Sequence, residues 1–194
     1  ATIGNPQQHA EALLGSPVRA ITRSGAPQGG RHLLLWNPPV VNADLGIRAP
    51  ARSQSTRIAR AAIRARLKSI VFAQSRLMVE VLTKYLKDAF DHDPRKPARV
   101  AAYRGGYLPQ ERRATERKLR AGELDCVVST SALELGMDIG MLDVCILNGY
   151  PGTVAATWQR LGRAGRRQRD ALGVLVAGSD PLDQYLVRHP EFFL

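Results

Sequence analysis

A chain of 194 residues with 44% apolar side chains and a mean hydropathy of −0.20 has enough material for one good core and an appendage. No apolar run approaches the roughly 20 residues that span a bilayer, no signal peptide opens the sequence, and two cysteines with four scattered histidines make no metal-ligand pattern. A membrane partner, a disulfide and a metal centre are therefore not expected, a cytoplasmic place is, and a net charge of +11 points to a polyanion, most often nucleic acid.

The first third of the chain is the least regular. Residues 33–36 (LLLW) read as a strand, and residues 37–53, with Pro38, Pro39 and Pro50, as a long excursion. A helix follows to Lys68, with Ser53 or Ser55 as its expected cap. Between Leu45 and Val79 there is no acidic residue, while Arg48, Arg52, Arg57, Arg60, Arg64, Arg66, Lys68 and Arg76 all fall there. A solvated basic helix face and a nucleic-acid contact both fit that stretch.

From residue 69 onward strand and helix signals alternate. Apolar runs at 69–73, 99–103, 125–129, 144–147 and 173–177 predict strands. Helical spacing appears at Val79, Leu82, Leu86 and Phe90. Pro109 opens a charged helix that Gly122 closes, a short helix is expected at 131–135, and another at 153–162. Nearly all-apolar strands alternating with helices predict an α/β fold, a parallel sheet covered on both faces. Ligands of such sheets bind beyond the carboxyl ends of the strands. The residues there are Gln74-Ser75-Arg76, Arg104-Gly105-Gly106, Ser129-Thr130-Ser131 and Gly149-Tyr150-Pro151, a set of hydroxyls, glycines and arginines suited to phosphate.

The run from Gln159 to Arg167 (QRLGRAGRR) carries arginines at spacings of three, Arg160, Arg163 and Arg166. On a helical turn Arg163 and Arg166 would stand side by side, and arginine is the residue for bidentate grip on phosphate oxygens. Gly162 and Gly165 remove side chains where a phosphate or another backbone must come close.

Four blocks in order resemble the second RecA-like domain of superfamily 2 helicases, a three-layer α/β/α fold. SIVFAQSR at 69–76 is similar to motif IV, AYRGG at 102–106 with Gln110 and Arg113 to motif IVa, VVSTSALELGMD at 127–138 to motif V, and QRLGRAGR at 159–166 to motif VI. Ala1-Thr2 resembles the tail of motif III. LWNPPVVNADLGIR, NGYPGTVAATWQRLGRAGRR and DPLDQYLVRHPEFF extend the likeness to the mitomycin-repair-factor-A-like DNA helicases.

The resemblance implies a catalytic role for Arg163 and Arg166, with Arg166 as arginine finger on the ATP γ-phosphate. It implies that Gly136, Asp138, Gln159 and Gly162 approach the nucleotide; for Asp138, a capping carboxylate paired with a motif VI arginine is the other reading. Ser75, Arg76, Arg104, Gly105 and Thr130 match phosphate-contacting positions on single-stranded or partly duplex DNA. Tyr103, Tyr107 and Trp158 fit either base stacking or packing, and Gln110, Arg113 and Arg160 either contact or packing.

Residues 1–194 are expected to form one domain, a piece of a longer protein without ATPase or unwinding activity of its own. ATP and Mg²⁺ would be held mainly by a first RecA-like domain, and a zinc-binding domain would follow. The implied activity is 3′-to-5′ helicase movement on DNA in repair. A non-catalytic nucleic-acid-binding module and an RNA helicase domain remain the alternatives.

Overall fold

The computed structural model describes residues 4–22, 25, 29–90, 99–134, 142–165 and 169–193. Six of its strands form one parallel sheet in the order β1-β8-β7-β4-β6-β5. They are β1 (Arg31–Trp36), β4 (Ser69–Phe72), β5 (Val100–Tyr103), β6 (Cys126–Ser129), β7 (Val144–Asn148) and β8 (Ala171–Val176). Alternate residues leave opposite faces of a strand. Ile70, Phe72, Val127, Cys145, Leu147 and Leu175 therefore pack on one side, with Leu119 of helix α4 (Pro109–Arg120), Leu161 of α5 (Val154–Leu161) and Phe193. Val71, Val128, Ile146, Val174 and Val176 pack on the other, under α2 (Ala51–Arg64) and α3 (Arg76–Phe90) through Ala59, Ala62, Val79, Leu82 and Leu86. The expected three-layer α/β/α order is what the structure has, in the manner of a RecA-like sheet.

Cys126 and Cys145 are buried free thiols, pushed up by desolvation, Cys126 to about 12. They act as small core residues.

Because every strand of this sheet runs the same way, its two edges differ. The amino edge is fastened by charge. Asp143 Oδ2 accepts from Lys68 N (2.9 Å), and Asp125 Oδ1 pairs with Lys68 Nζ (2.8 Å) while its Oδ2 accepts from Arg99 N (2.9 Å). Burial alone would raise the Asp125 carboxyl, but the Lys68 and Arg99 contacts outweigh it and hold the group below its ordinary value. The carboxyl edge ends in polar turns.

Four sequence expectations change. Helix α2 starts at Ala51 behind Pro50, so neither serine caps it. Ser53 Oγ donates to Pro50 O (2.7 Å), and Ser55, fully buried, donates to Asn148 Oδ1 (2.9 Å) at the end of β7. The helix also stops at Arg64 instead of Lys68, where Arg66 adopts φ 59° and Leu67 N returns to Ala62 O (2.9 Å). Within 37–53 the chain forms an antiparallel hairpin, β2 (Val40–Asn42) with β3 (Ile47–Arg48). Asn42 Oδ1 accepts from Leu45 N (3.0 Å), and Gly46 supplies the φ of 62° that its turn requires. Helices α1 (Pro6–Leu14) and α6 (Pro181–Leu186) were not anticipated; α1 buries no residue, and α6 spans about 1.7 turns capped by Asp180. The expected helix at 131–135 is a 3₁₀ turn over Ser131–Leu133, and its last residue lies outside the described residues.

Candidate functional site

The carboxyl ends of β4, β6 and β5 are neighbours, and they bring together Ser75, Arg76, Thr130, Arg104 and Gly105. Ser75 Oγ accepts from Met78 N (3.1 Å), capping α3 three residues ahead of the expected start. Arg76 is exposed, and its Nη1 lies 3.9 Å from where a Cβ on Gly106 would stand. Gly106 has φ 99°, so only glycine sits there without strain.

Arg104 is held rather than free. Its Nε donates to Glu80 Oε1 (2.7 Å), the Tyr107 hydroxyl donates to the same oxygen (2.6 Å), and its guanidinium lies 4.5 Å over the Tyr107 ring. The Tyr107 hydroxyl, then Arg104, hold Glu80 below its ordinary value. Burial and then Glu80 push Tyr107 up to about 12. These contacts aim Arg104 at the Gly105–Gly106 turn and cover one face of Tyr107. Tyr103 is likewise committed: it is 3% exposed and donates to Glu116 Oε1 (2.7 Å). Trp158 is half-buried and packs against the core.

Thr130 caps the 3₁₀ turn, its Oγ1 accepting from Ala132 N (3.4 Å) and its own N–H donating to Tyr103 O (3.4 Å). Its side chain lines a cleft of about 300 Å³ with Gln74, Ser131, Tyr150 and Arg160. Of the acid-free stretch, Arg76 reaches this rim, whereas Arg57, Arg60 and Arg64 run along α2 toward the amino edge.

Helix α5 joins this rim to the arginine run. It begins at the rim, capped by Thr153 Oγ1, and ends at Gly162. Eight residues advance about 12 Å, so the turn behind it stands at the opposite edge of the sheet, where Gly165 N donates to Leu142 O (3.0 Å). Arg163 lies half-buried in that turn, with its N–H on Arg160 O (3.0 Å). Gln159 is half-buried in the last turn of α5. The glycines have a packing reason: a Cβ on Gly162 would meet Trp158 O at 3.1 Å, and one on Gly165 would meet Ala171 Cβ at 2.5 Å. At Gly165 the close approach is thus made by another part of the chain. Arg166, Gly136 and Asp138 lie outside the described residues.

Arg160 shows the packing expected as one of its two readings. It is 9% exposed, its Nε bonds Glu134 Oε2 (2.9 Å), and its guanidinium lies 5.5 Å from the Phe72 ring centroid. Glu134 follows the 3₁₀ turn that Thr130 caps, so this ion pair ties the rim to α5. Sequence reasoning missed Glu134, since one carboxylate in an apolar stretch carries no pattern.

The model of the helicase conserved C-terminal domain matches residues 55–168. An uncharacterized ATP-dependent helicase of Bacillus subtilis, YprA, is 47% identical over the whole chain, which spans 26% of that relative. The ATP-dependent helicase HRQ1 of Saccharomyces cerevisiae is 39% identical, again over the whole chain and 18% of the relative. Among solved structures, the helicase MrfA bound to DNA and AMPPNP superposes with a TM-score of 0.89 at 47% identity, over all of this chain and 27% of that one. Helicase Lhr of Mycobacterium smegmatis, bound to single-stranded DNA and AMP-PNP, gives 0.73 at 30% identity, over 94% of this chain and 24% of that one. The chain thus spans about a quarter or less of these relatives.

Proposed function

The chain belongs to the helicase conserved C-terminal domain family, and we propose that it is the second motor domain of an ATP-dependent DNA helicase moving 3′ to 5′, acting in DNA repair. The observation that carries this reading is the separation of two anion-facing sets by the length of α5. The rim holds Ser75, Arg76, Arg104 and Thr130, and the far turn holds Arg163, with Arg166 following three residues later in sequence. A binding module needs the first set alone; a motor needs both, because strand grip must alternate with hydrolysis. The relatives bound to DNA and to AMPPNP support a role in which both a strand and a nucleotide are handled.

In this reading the rim contacts phosphates without reading bases, through a hydroxyl, a backbone turn and two arginines. Arg163 and Arg166 supply non-titrating positive charge to the γ-phosphate when a first RecA-like domain closes against this one. Gln159 and Gly162, with Gly136 and Asp138, line that side of the cleft. Arginine in a fixed turn fits a polyphosphate. Mg²⁺ would be held mainly by the other domain. ATP supplies the free energy, and this chain positions charge and strand. The partners are DNA, the first RecA-like domain and a zinc-binding domain of the same longer protein.

The test is Arg166→Ala in the full-length protein. DNA-stimulated ATP turnover should fall by about 10³-fold or more while affinity for single-stranded DNA is kept. Turnover at the wild-type rate removes the assignment, and stimulation by RNA in place of DNA moves the substrate class.

A further inference from the structure

We infer that the cleft between the β2–β3 hairpin and α6 is a further phosphate-binding station for the nucleic-acid strand, beside the rim. The inference rests on the rim's being a strand-binding surface. The cleft holds about 250 Å³ and is lined by Val40, Gly46, Arg48, Ser179, Gln184 and Arg188. Two arginines and a serine line it, a donor set made for phosphate oxygens. Neither Arg48 nor Arg188 is paired with a carboxylate among the described residues. The carboxylates nearby are committed or turned away. Asp180 accepts from Asp183 N (3.0 Å), Asp183 accepts from Gly178 N (2.6 Å) and Tyr150 N (3.2 Å), and Asp44 in the exposed hairpin turn does not line the cleft.

The cleft is also preformed. Gln184 Nε2 donates to Gly178 O (2.7 Å) and to Asn37 Oδ1 (3.2 Å), which ties α6 to the end of β1. Arg48 Nη1 donates to Pro38 O (2.6 Å), which fixes that guanidinium against the base of the hairpin. An arginine already held in place loses less freedom on binding.

Position gives the ligand. The hairpin follows the carboxyl end of β1, and Ser179 follows that of β8, so the cleft lies on the same edge of the sheet as Thr130 and Arg104. Strand ends about 4.8 Å apart place the cleft at one end of an edge of about 24 Å, with Tyr150 and Gln74 between it and Thr130. One strand crossing that edge meets both groups. Arg48 and Arg188 fall outside the residues that match the family model, so the station would add to the motor motifs.

The experiment is the salt dependence of binding of fluorescein-labelled oligothymidylate to the full-length protein without nucleotide. Removing one arginine–phosphate pairing with a single strand flattens the log–log slope by about 0.7. Arg48→Gln with Arg188→Gln should therefore flatten it by about 1.4 and weaken binding. Arg188→Glu, at an exposed side chain that holds nothing in the fold, should weaken binding further than Arg188→Gln with an unchanged thermal melt. An unchanged slope in the double variant and unchanged affinity in Arg188→Glu overturn the proposal. Parallel variants Arg76→Ala and Thr130→Ala separate the two readings. If they weaken binding and the cleft variants do not, the cleft alone fails; if they leave binding intact, the rim fails.

Discussion

Each edge of the sheet carries a cluster of charged groups, and the two clusters are used in opposite ways. At the amino edge Asp125, Asp143, Lys68, Arg99 and Arg169 satisfy one another and hold the starts of strands. At the carboxyl edge Arg76, Arg48 and Arg188 have no carboxylate partner among the described residues, and Arg104 is steadied by one while keeping its terminal nitrogens toward a glycine turn. A basic composition alone does not separate a fastening from a binding surface; what separates them is whether the charge is already spent inside the molecule.

The sharpest way to break this contrast is at the ion pair of Glu134 with Arg160, which ties the rim to α5. Glu134→Ala leaves Arg160 charged and buried, and should cost about 3–5 kcal/mol in urea unfolding. Glu134→Leu with Arg160→Met should recover most of that loss in stability while DNA no longer stimulates ATP turnover in the full-length protein. Full stimulation in the double variant would show that the pair only holds the fold.

A smaller effect tests the amino edge. Asp125→Asn should cost about 1 kcal/mol near neutral pH, a figure reduced from that of a buried charged contact because the group is partly exposed. The folded-state value of Asp125 is depressed below its ordinary 3.8. Its stabilisation is therefore present above that value and is lost as pH falls through the folded one. The gap between wild type and variant in thermal melts should close in that acid range, and DNA affinity should not change at all.

The smallest effect belongs to the rim. Thr130→Val keeps the shape and removes one hydroxyl, so affinity for single-stranded DNA should fall about two- to tenfold. The melt should shift little, because the turn loses only one long cap bond of 3.4 Å. A large destabilisation with intact binding would move Thr130 from the binding surface to the fastenings.

The central strands were legible because a parallel strand buried on both faces is a plain apolar run, as in Ser69–Phe72 and Cys126–Ser129. Their ends were legible for the same reason, and that is why Ser75, Arg104 and Thr130 could be placed. The hairpin was not, since strands of three and two residues are too short to show alternation. Ser53 and Ser55 look alike in sequence, yet one turns back to Pro50 and the other reaches Asn148 across 93 residues. Glu134 and Arg160 are 26 residues apart, so nothing local pairs them. The glycines of the arginine run do mark a close approach, and at Gly165 a neighbour is the chain itself, because space on a glycine does not say who fills it.

That neighbour has a mechanical meaning. The turn carrying Arg163 is fastened at Gly165, whose N–H bonds Leu142 at the entry to β7 and whose bare Cα rests against Ala171 at the entry to β8. A pull on the arginine is then taken up by two central strands rather than by a pliant loop. The sheet would behave as a stiff plate with its handle at one end and its grip at the other, so that displacement at the handle reaches the grip with little lost to bending.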